Sequence, residues 1–416
     1  VPETTTCWAD LPADTPFGLD NLPYGVFTVR GVERDRPRVG VAVGDRVLDV
    51  GRAARAAGHP ALARTLDGPD LNPLLRLGRS AWTELRGMLR DWLTDEDHRE
   101  TVEPLLLARA DVEMHLPFHP GDYVDFYSSE HHAANLGRIL RPNDEPLKPN
   151  WKHLPVGYHG RAGTVVASGT PIVRPRGQRL PAGAGAPEFG PSARLDIEAE
   201  MGFVVGGAGT RLGEPVPVEE FRDHVFGAVL VNDWSARDIQ AWEYVPLGPF
   251  LAKSFATSVG EWVVPLDALE EARTAPPERD VELLDYLRDG AEQGGPWGFD
   301  VAMEVRLNGE RIAEPPFASM YWTAAQQLAH LTVNGAVVRA GDLFASGTVS
   351  GPEPHQWGSL MELTRGGREP LKLADGEERT FLADGDEVVI TATAPGANGS
   401  RIGFGEVAGR IAPARR

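Results

Sequence analysis

The run "FGAVLVND", residues 226–233, constrains the fold more than any other stretch of the chain. Its apolar residues follow one another instead of alternating with polar ones, so the strand they form is covered on both faces. The acid that ends it, Asp233, then lies at the edge of a core. A carboxylate in that position needs a partner, and a cation is one.

The chain around this run reads as further strands separated by turns. "TVVASGTPIVRP", "RLDIEAEMGFVVG", "EWVVPL", "DVAMEVRLNGERI", "GDLFASGTVSG" and "DEVVITATAPG" all carry strand patterns. The 47 Gly and 35 Pro agree with a turn-rich, mainly β architecture and not with a helical bundle. Short helices are predicted over 235–243, 281–288 and 320–332. The first hundred residues form a separate unit. "YGVFTVR" and "RVGVAVGDRVLDV" read as a hairpin turning at Gly44 and Asp45, followed by a helical stripe of Leu74, Leu75, Trp82, Leu85, Met88, Leu89, Trp92 and Leu93 that belongs to a core. At 416 residues the chain exceeds what one hydrophobic core serves. The boundary falls near residues 110–120, giving units 1–116 and 117–416, the second holding nearly all the candidate chemistry.

A formal charge of −19 argues against a nucleic-acid partner. No apolar run is long enough to span a bilayer, and residues 1–20 lack the basic flank and apolar core of a secretion signal. Cys7 is the single cysteine, so neither an intrachain disulfide nor a cysteine-based metal site can form. A cytoplasmic protein is expected.

In "LDIEAEM", Asp196, Glu198 and Glu200 alternate with Leu195, Ile197, Ala199 and Met201, and so share one face of a strand. Such a face usually meets solvent. With Asp233, and with Asp125 from "DYVDFYSSEHHAANLG" (122–137), it could also supply an oxygen-only site for Mg²⁺ or Ca²⁺. Residue types leave both readings open. They also leave open whether His131 or His132 does chemistry or merely bonds within a loop, although adjacent residues in extended backbone face opposite ways. After Asp233, "SARDIQAWEYVPLGPFLAKSF" pairs Ser235 with Asp238 in a pattern close to a capping box. A helix starting there puts Arg237, Gln240 and Tyr244 on one face, either a surface or a substrate platform. Lys253, between apolar residues, is either a snorkelling surface residue or a cation for a developing oxyanion.

Together with "NLPYGVF", "LPVGYHGR", "GTVSGPEP" and "RIGFGE", these segments resemble the fumarylacetoacetate hydrolase family, in its motif order and over nearly the whole chain. The resemblance implies a small N-terminal SH3-like barrel plus a large C-terminal mixed β-roll domain, assembled as a homodimer. It implies hydrolysis of a carbon–carbon bond of fumarylacetoacetate to fumarate and acetoacetate, the last step of tyrosine and phenylalanine breakdown. By motif position Asp125, Glu198, Glu200 and Asp233 would hold a divalent metal, with a second cation near Asp233, Lys253 and Thr257. His132 would be the base and Glu362 its acidic partner. Arg237, Gln240 and Lys253 would stabilise the oxyanion, and Tyr127, Arg141, Gln240, Tyr244, Lys253 and Thr348 would contact substrate. One departure stands out: the family commonly has Arg-Gln before its catalytic histidine, where this chain has Glu130 and His131. The alternatives are a related acylpyruvate hydrolase, decarboxylase or isomerase of keto acids, or a non-catalytic metal-binding homologue.

Overall fold

The computed structural model describes residues 7–12, 14–374 and 376–415, so residues 1–6 of the stretch read against a secretion signal lie outside the described residues. In the N-terminal unit, β1 (Tyr24–Val29), β2 (Arg38–Val43), β3 (Arg46–Asp49), β4 (Leu106–Ala108) and β5 (Val112–His115) form one antiparallel sheet. Its order is β4-β3-β2-β1-β5, a small barrel-like arrangement. The β2–β3 hairpin turns at Gly44, whose φ of +61° is open to glycine without strain. Between β3 and β4 the chain inserts its helices. The longest, α1 (Arg79–Thr94), buries Trp82, Leu85, Leu89, Trp92 and Leu93, as the stripe predicted. Leu74 and Leu75 belong to a separate short helix, because the chain turns at Gly78 with φ +83°.

The C-terminal unit is built on a curled mixed sheet. Its strands are β6 (Tyr123–Phe126), β7 (Gly157–His159), β8 (Val165–Ala167), β9 (Ala199–Val205), β10 (Val225–Asp233), β11 (Thr257–Val259) and β12 (Leu343–Ala345). They lie in the order β7-β6-β12-β9-β10-β11-β8, with Val264–Pro265 also pairing to β10. The pairs β12–β6 and β11–β8 are parallel.

Every residue of β10 is buried. Ala228 and Leu230 join the core shared with Phe203, Trp234, Phe344 and Ile390, beneath a second five-stranded sheet. Val229 and Val231 face the other way, onto Tyr24, Val41 and Trp82 of the N-terminal unit. The unbroken apolar run is thus the signature of a strand with a core on each side. Main-chain bonds between Tyr24 and Val263, at 2.9 and 2.8 Å, tie the two units together.

Two helix predictions change. Over 281–288 there is only one 3-10 turn, Asp285–Leu287. A segment that short is not helical by itself, and Leu283, Tyr286 and Leu287 are used instead in a cluster with Trp151 and Trp322. The 320–332 helix begins only at Ala324, where Thr323 and Gln326 form a capping box. Among the described residues, no helix is long and apolar enough to cross a membrane.

Candidate active site

Sheet register gathers the acids. Asp125 on β6 lies beside Ala345 of β12, Glu200 on β9 pairs with Val231 of β10, and Asp233 ends β10 opposite Thr257. Asp125, Glu198, Glu200 and Asp233 each bring a carboxylate oxygen within 4.8 Å of the others, and all are buried. "LDIEAEM" is not one continuous strand. Leu195–Asp196 pairs with Ser235–Ala236, and the chain re-forms as a strand only at Ala199. Asp196 therefore leaves the cluster, while Glu198 and Glu200 enter it. None of the three acids faces solvent, which excludes the exposed-face reading.

Among the described residues, both oxygens of Glu200 and Oδ1 of Asp125 have no hydrogen-bond partner. Burial, then the neighbouring Asp233, drives the pKa of Asp125 well above the usual carboxylate range. Burial, then Asp125, does the same to Glu200. Acceptors crowded against acceptors in a buried pocket are the arrangement a hard cation satisfies, and the residues fit one.

Glu198 behaves oppositely. Burial raises its pKa, but Lys253 and Arg237 outweigh burial and hold it below its ordinary value. Lys253 is itself buried, with its ammonium on Glu198 Oε2 and 3.0 Å from Asp233 Oδ2. This is not a snorkelling residue. Asp233 also accepts from Thr257 Oγ1 at 3.0 Å and Tyr158 at 2.9 Å. Lys253 and Thr257 thus meet Asp233 as donors, and at a second cation position Lys253 could offer only its carbonyl oxygen.

His132 lies in α2 (Glu130–Leu140), whose start is capped by Ser129 Oγ accepting from His132 N at 3.2 Å. Its Nδ1 is 2.7 Å from Glu362 Oε2, and its Nε2 is 3.8 Å from Glu198 Oε1. Glu362 sits in the short helix α4, reached after α3 (Arg237–Glu243); α4 spans Leu360–Leu363. Its carboxylate also accepts from Asn135 Nδ2 at 3.0 Å, Ser350 Oγ at 2.9 Å and Ser359 Oγ at 2.8 Å. Against burial, which raises its pKa, His132, Asn135 and Ser359 hold Glu362 below its ordinary value. His131 is half-buried and, among the described residues, has no hydrogen bond or ion pair to this group. It is turned away by helix geometry, not by the extended backbone expected for the segment. Glu130 points to Lys152, at 3.2 Å.

Beside the cluster lies a cavity of about 570 Å³. Tyr127, Arg141, Gln240, Tyr244 and Thr348 line it, as do Asp125, Glu198, Arg237 and Lys253. His132 and Glu362 stand behind this wall, next to Glu198 and Tyr127, the latter's ring edge-on at 5.3 Å. Arg237 and Gln240 share a face of α3, with Arg237 Nη1 donating to Gln240 Oε1 at 3.0 Å. The capping box expected at Ser235 is absent. Ser235 donates to Asp233 O at 3.0 Å, and Asp238 accepts from Ser192 Oγ and Ala193 N, fastening α3 to the preceding loop. Sequence reasoning missed Asn135, Tyr158, Ser350 and Ser359. Asn135 and Tyr158 act on charged groups 227 and 75 positions away, so no local spacing marks them. Ser359 caps the helix of Glu362 three positions on, a Ser-x-x-Glu spacing that is a readable signal.

Two family models match the chain: fumarylacetoacetase N-terminal over residues 20–117, and fumarylacetoacetate (FAA) hydrolase C-terminal over residues 123–412. The fumarylacetoacetase of Homo sapiens is 48% identical over 415 residues, spanning 96% of this chain and 97% of that protein. That of Arabidopsis thaliana is 44% identical over 419 residues, spanning 97% of each. A solved fumarylacetoacetate hydrolase from psychrophilic Exiguobacterium antarcticum shares the fold, with a TM-score of 0.53 at 19% identity over 95% of this chain and all 100% of that one. Maleylpyruvate hydrolase from Sphingobium does so at 0.52 and 16% identity, over 94% and 100%. Fold and site together define a β-roll enzyme centred on a buried acidic cluster able to take a hard cation. The full-length likeness to curated relatives narrows this class. The chain belongs to the fumarylacetoacetase family.

Proposed function

We propose that this enzyme hydrolyses the carbon–carbon bond of fumarylacetoacetate, a 1,3-diketone acid, to fumarate and acetoacetate. The observation that carries the reading is the His132–Glu362 pair set against Glu198, behind the wall of a cavity lined by carboxylates together with Arg237, Gln240 and Lys253. Relatives named fumarylacetoacetase, alike along their whole length, support the substrate.

Nδ1–H of His132 donates to Glu362, which leaves Nε2 as the acceptor for a proton from water. The water oxygen bonds to a ketone carbon, and Arg237, Gln240 and Lys253 donate to the oxyanion that forms. When it collapses the carbon–carbon bond breaks. The bonding pair stays with the acetoacetate carbon as an enolate, and the proton held on Nε2 returns to that carbon. Glu362 stabilises the imidazolium between these steps. Asp125, Glu198, Glu200 and Asp233 would hold a divalent ion, which supplies Lewis-acid polarisation of the diketone oxygens and charge balance for the enolate. The oxygen-only donor set favours Mg²⁺ or Ca²⁺.

Tyr127, Arg141, Tyr244 and Thr348 are read as substrate contacts because they line the cavity, and Thr348 Oγ1 is buried with no hydrogen-bond partner among the described residues. The second cation is kept near Asp233, Lys253 and Thr257, which line a separate cavity of about 90 Å³. We keep the division into 1–116 and 117–416; the two family matches, over 20–117 and 123–412, change over close to it. A homodimer is supported by exposed Val245, Leu247 and Phe250 on the segment after α3, apolar side chains that a second copy would cover. A cytoplasmic place in tyrosine and phenylalanine breakdown completes the reading. The deciding experiment follows the ultraviolet enol absorbance of fumarylacetoacetate with Mg²⁺ or Ca²⁺ present. Its loss with fumarate release is expected, and no loss with folded protein refutes the assignment.

A further inference from the structure

Asp196 is fully buried and stands outside the four-carboxylate cluster. Each of its partners is a donor. Its Oδ1 accepts from the main-chain N–H of Ile197 and of Leu360, both at 2.7 Å. Its Oδ2 accepts from Arg237 Nε at 2.7 Å and from Met361 N at 3.0 Å. An ionised carboxylate meets all of these. A carboxamide in either orientation turns an NH₂ toward two of the donors.

The two ends of this bridge carry different parts of the chemistry. Leu360 and Met361 begin the four-residue helix in which Glu362 is the next residue, and Glu362 orients His132. Arg237, on the other side, donates to Gln240 and lies 2.7 Å from Glu198. Among the described residues, no hydrogen bond or ion pair joins Arg237 directly to His132 or Glu362. Glu198 links Arg237 to His132 directly; Asp196 links Arg237 to the turn that bears Glu362.

We propose that Asp196 is a positioning residue: one carboxylate fixes the guanidinium of Arg237 and the turn bearing Glu362 relative to each other, so that oxyanion donor and base keep a single spacing. This rests on the roles given above to His132, Glu362 and Arg237. Asp196 touches no reacting atom. Its effect is geometric, and a displacement of about 1 Å between groups that must act together costs about 100-fold in rate.

The test compares kcat and KM for Asp196→Asn, Arg237→Ala and the double variant, each at saturating Mg²⁺ and well below its melting temperature, with kcat expressed per folded protein. Asp196→Asn is expected to lower kcat by about 100-fold and to shift KM by less than about threefold, since the interaction lost matters in the transition state. Added to Arg237→Ala, it is expected to cost less than about tenfold more, because groups acting as one unit are not additive. A purely structural anchor would lower the melting temperature while leaving kcat per folded protein unchanged. That result, or a full multiplication of the two single effects, overturns the proposal. Should Asp196→Asn fail to fold, Asp196→Glu keeps an ionised acceptor and changes only its reach. A loss of more than about tenfold in kcat at steady KM supports the proposal, and wild-type kcat overturns it. An inactive wild type, or a fully active Arg237→Ala, would instead refute the functional reading itself.

Discussion

Replacing Glu362 by Gln tests the core of the mechanism with little change of shape. The carboxylate is fully buried and accepts from His132, Asn135, Ser350 and Ser359. The amide can keep its oxygen toward His132 if its nitrogen faces Asn135, whose own amide can turn over. In that arrangement the tautomer survives and only the charge is lost. At 2.7 Å, and with an effective dielectric of about 20, the full ion pair is worth about 6 kcal/mol to the imidazolium. The retained hydrogen bond recovers about 1–2 kcal/mol of that. The remaining 4 kcal/mol or so corresponds to about a 10³-fold fall in kcat. With the amide reversed, Nδ1 becomes the acceptor and Nε2 carries the hydrogen, which removes the base and costs about 10⁴-fold. Either orientation predicts a fall of about 10³ to 10⁴ in kcat. KM should change by less than about threefold, because Glu362 is not part of the cavity wall. The assay is the absorbance decay of fumarylacetoacetate at saturating divalent ion. A folded variant whose kcat stays within about tenfold of wild type would refute the assignment of Glu362.

The histidines should separate cleanly: His132→Ala loses at least about 10³-fold in kcat/KM, whereas His131→Ala stays within about twofold, and the reverse pattern in the same assay would exchange their roles. Stripping divalent ions should abolish turnover and also lower the melting temperature, because Asp125 and Glu200 are left with crowded, unpartnered oxygens. Calorimetry with and without a chelator checks this, and an unchanged melting temperature in active, metal-depleted protein refutes it. Glu362 also predicts a pH dependence of stability. Its folded pKa lies below its unfolded value, so its contribution is present above about pH 4.3 and is lost as pH falls through the folded value. The unfolding free energies of wild type and Glu362→Gln, from urea titrations at pH 7 and in acid, should therefore converge on acidification. A gap independent of pH contradicts the shift.

Much of the fold could be read in advance where a residue's meaning is local. The β2–β3 hairpin, the buried face of α1 and the doubly covered strand β10 follow from turn chemistry and periodicity alone. Tertiary context overrode weaker local signals elsewhere. The 281–288 segment has helical spacing, yet its apolar residues are drawn into the Trp151–Trp322 cluster as an irregular chain. Ser235 and Asp238 have the spacing of a cap, but Ser235 donates to the carbonyl of Asp233 two residues back and Asp238 accepts from Ser192 across a loop.

The candidate site divides in the same way. Sequence by itself determined that an acid must end a core strand, that the nearby donors are oxygens without sulfur, and that Arg237 and Gln240 share a face of the helix that follows. These statements depend on residue type and on spacings of two to four residues, which secondary structure converts directly into shared faces. Only the tertiary structure decided which acids meet. Asp196, Glu198 and Glu200 look equivalent as written, but the break before Ala199 sends Asp196 to Arg237 and the Glu362 turn and the other two into the cluster. Likewise His132 and Glu362, separated by 230 positions, are joined by strand order and register. The reason is physical: a buried charge takes whichever opposite charge or donor the packed fold brings within about 3 Å, and contact at that range is set by how strands and helices assemble, not by position along the chain.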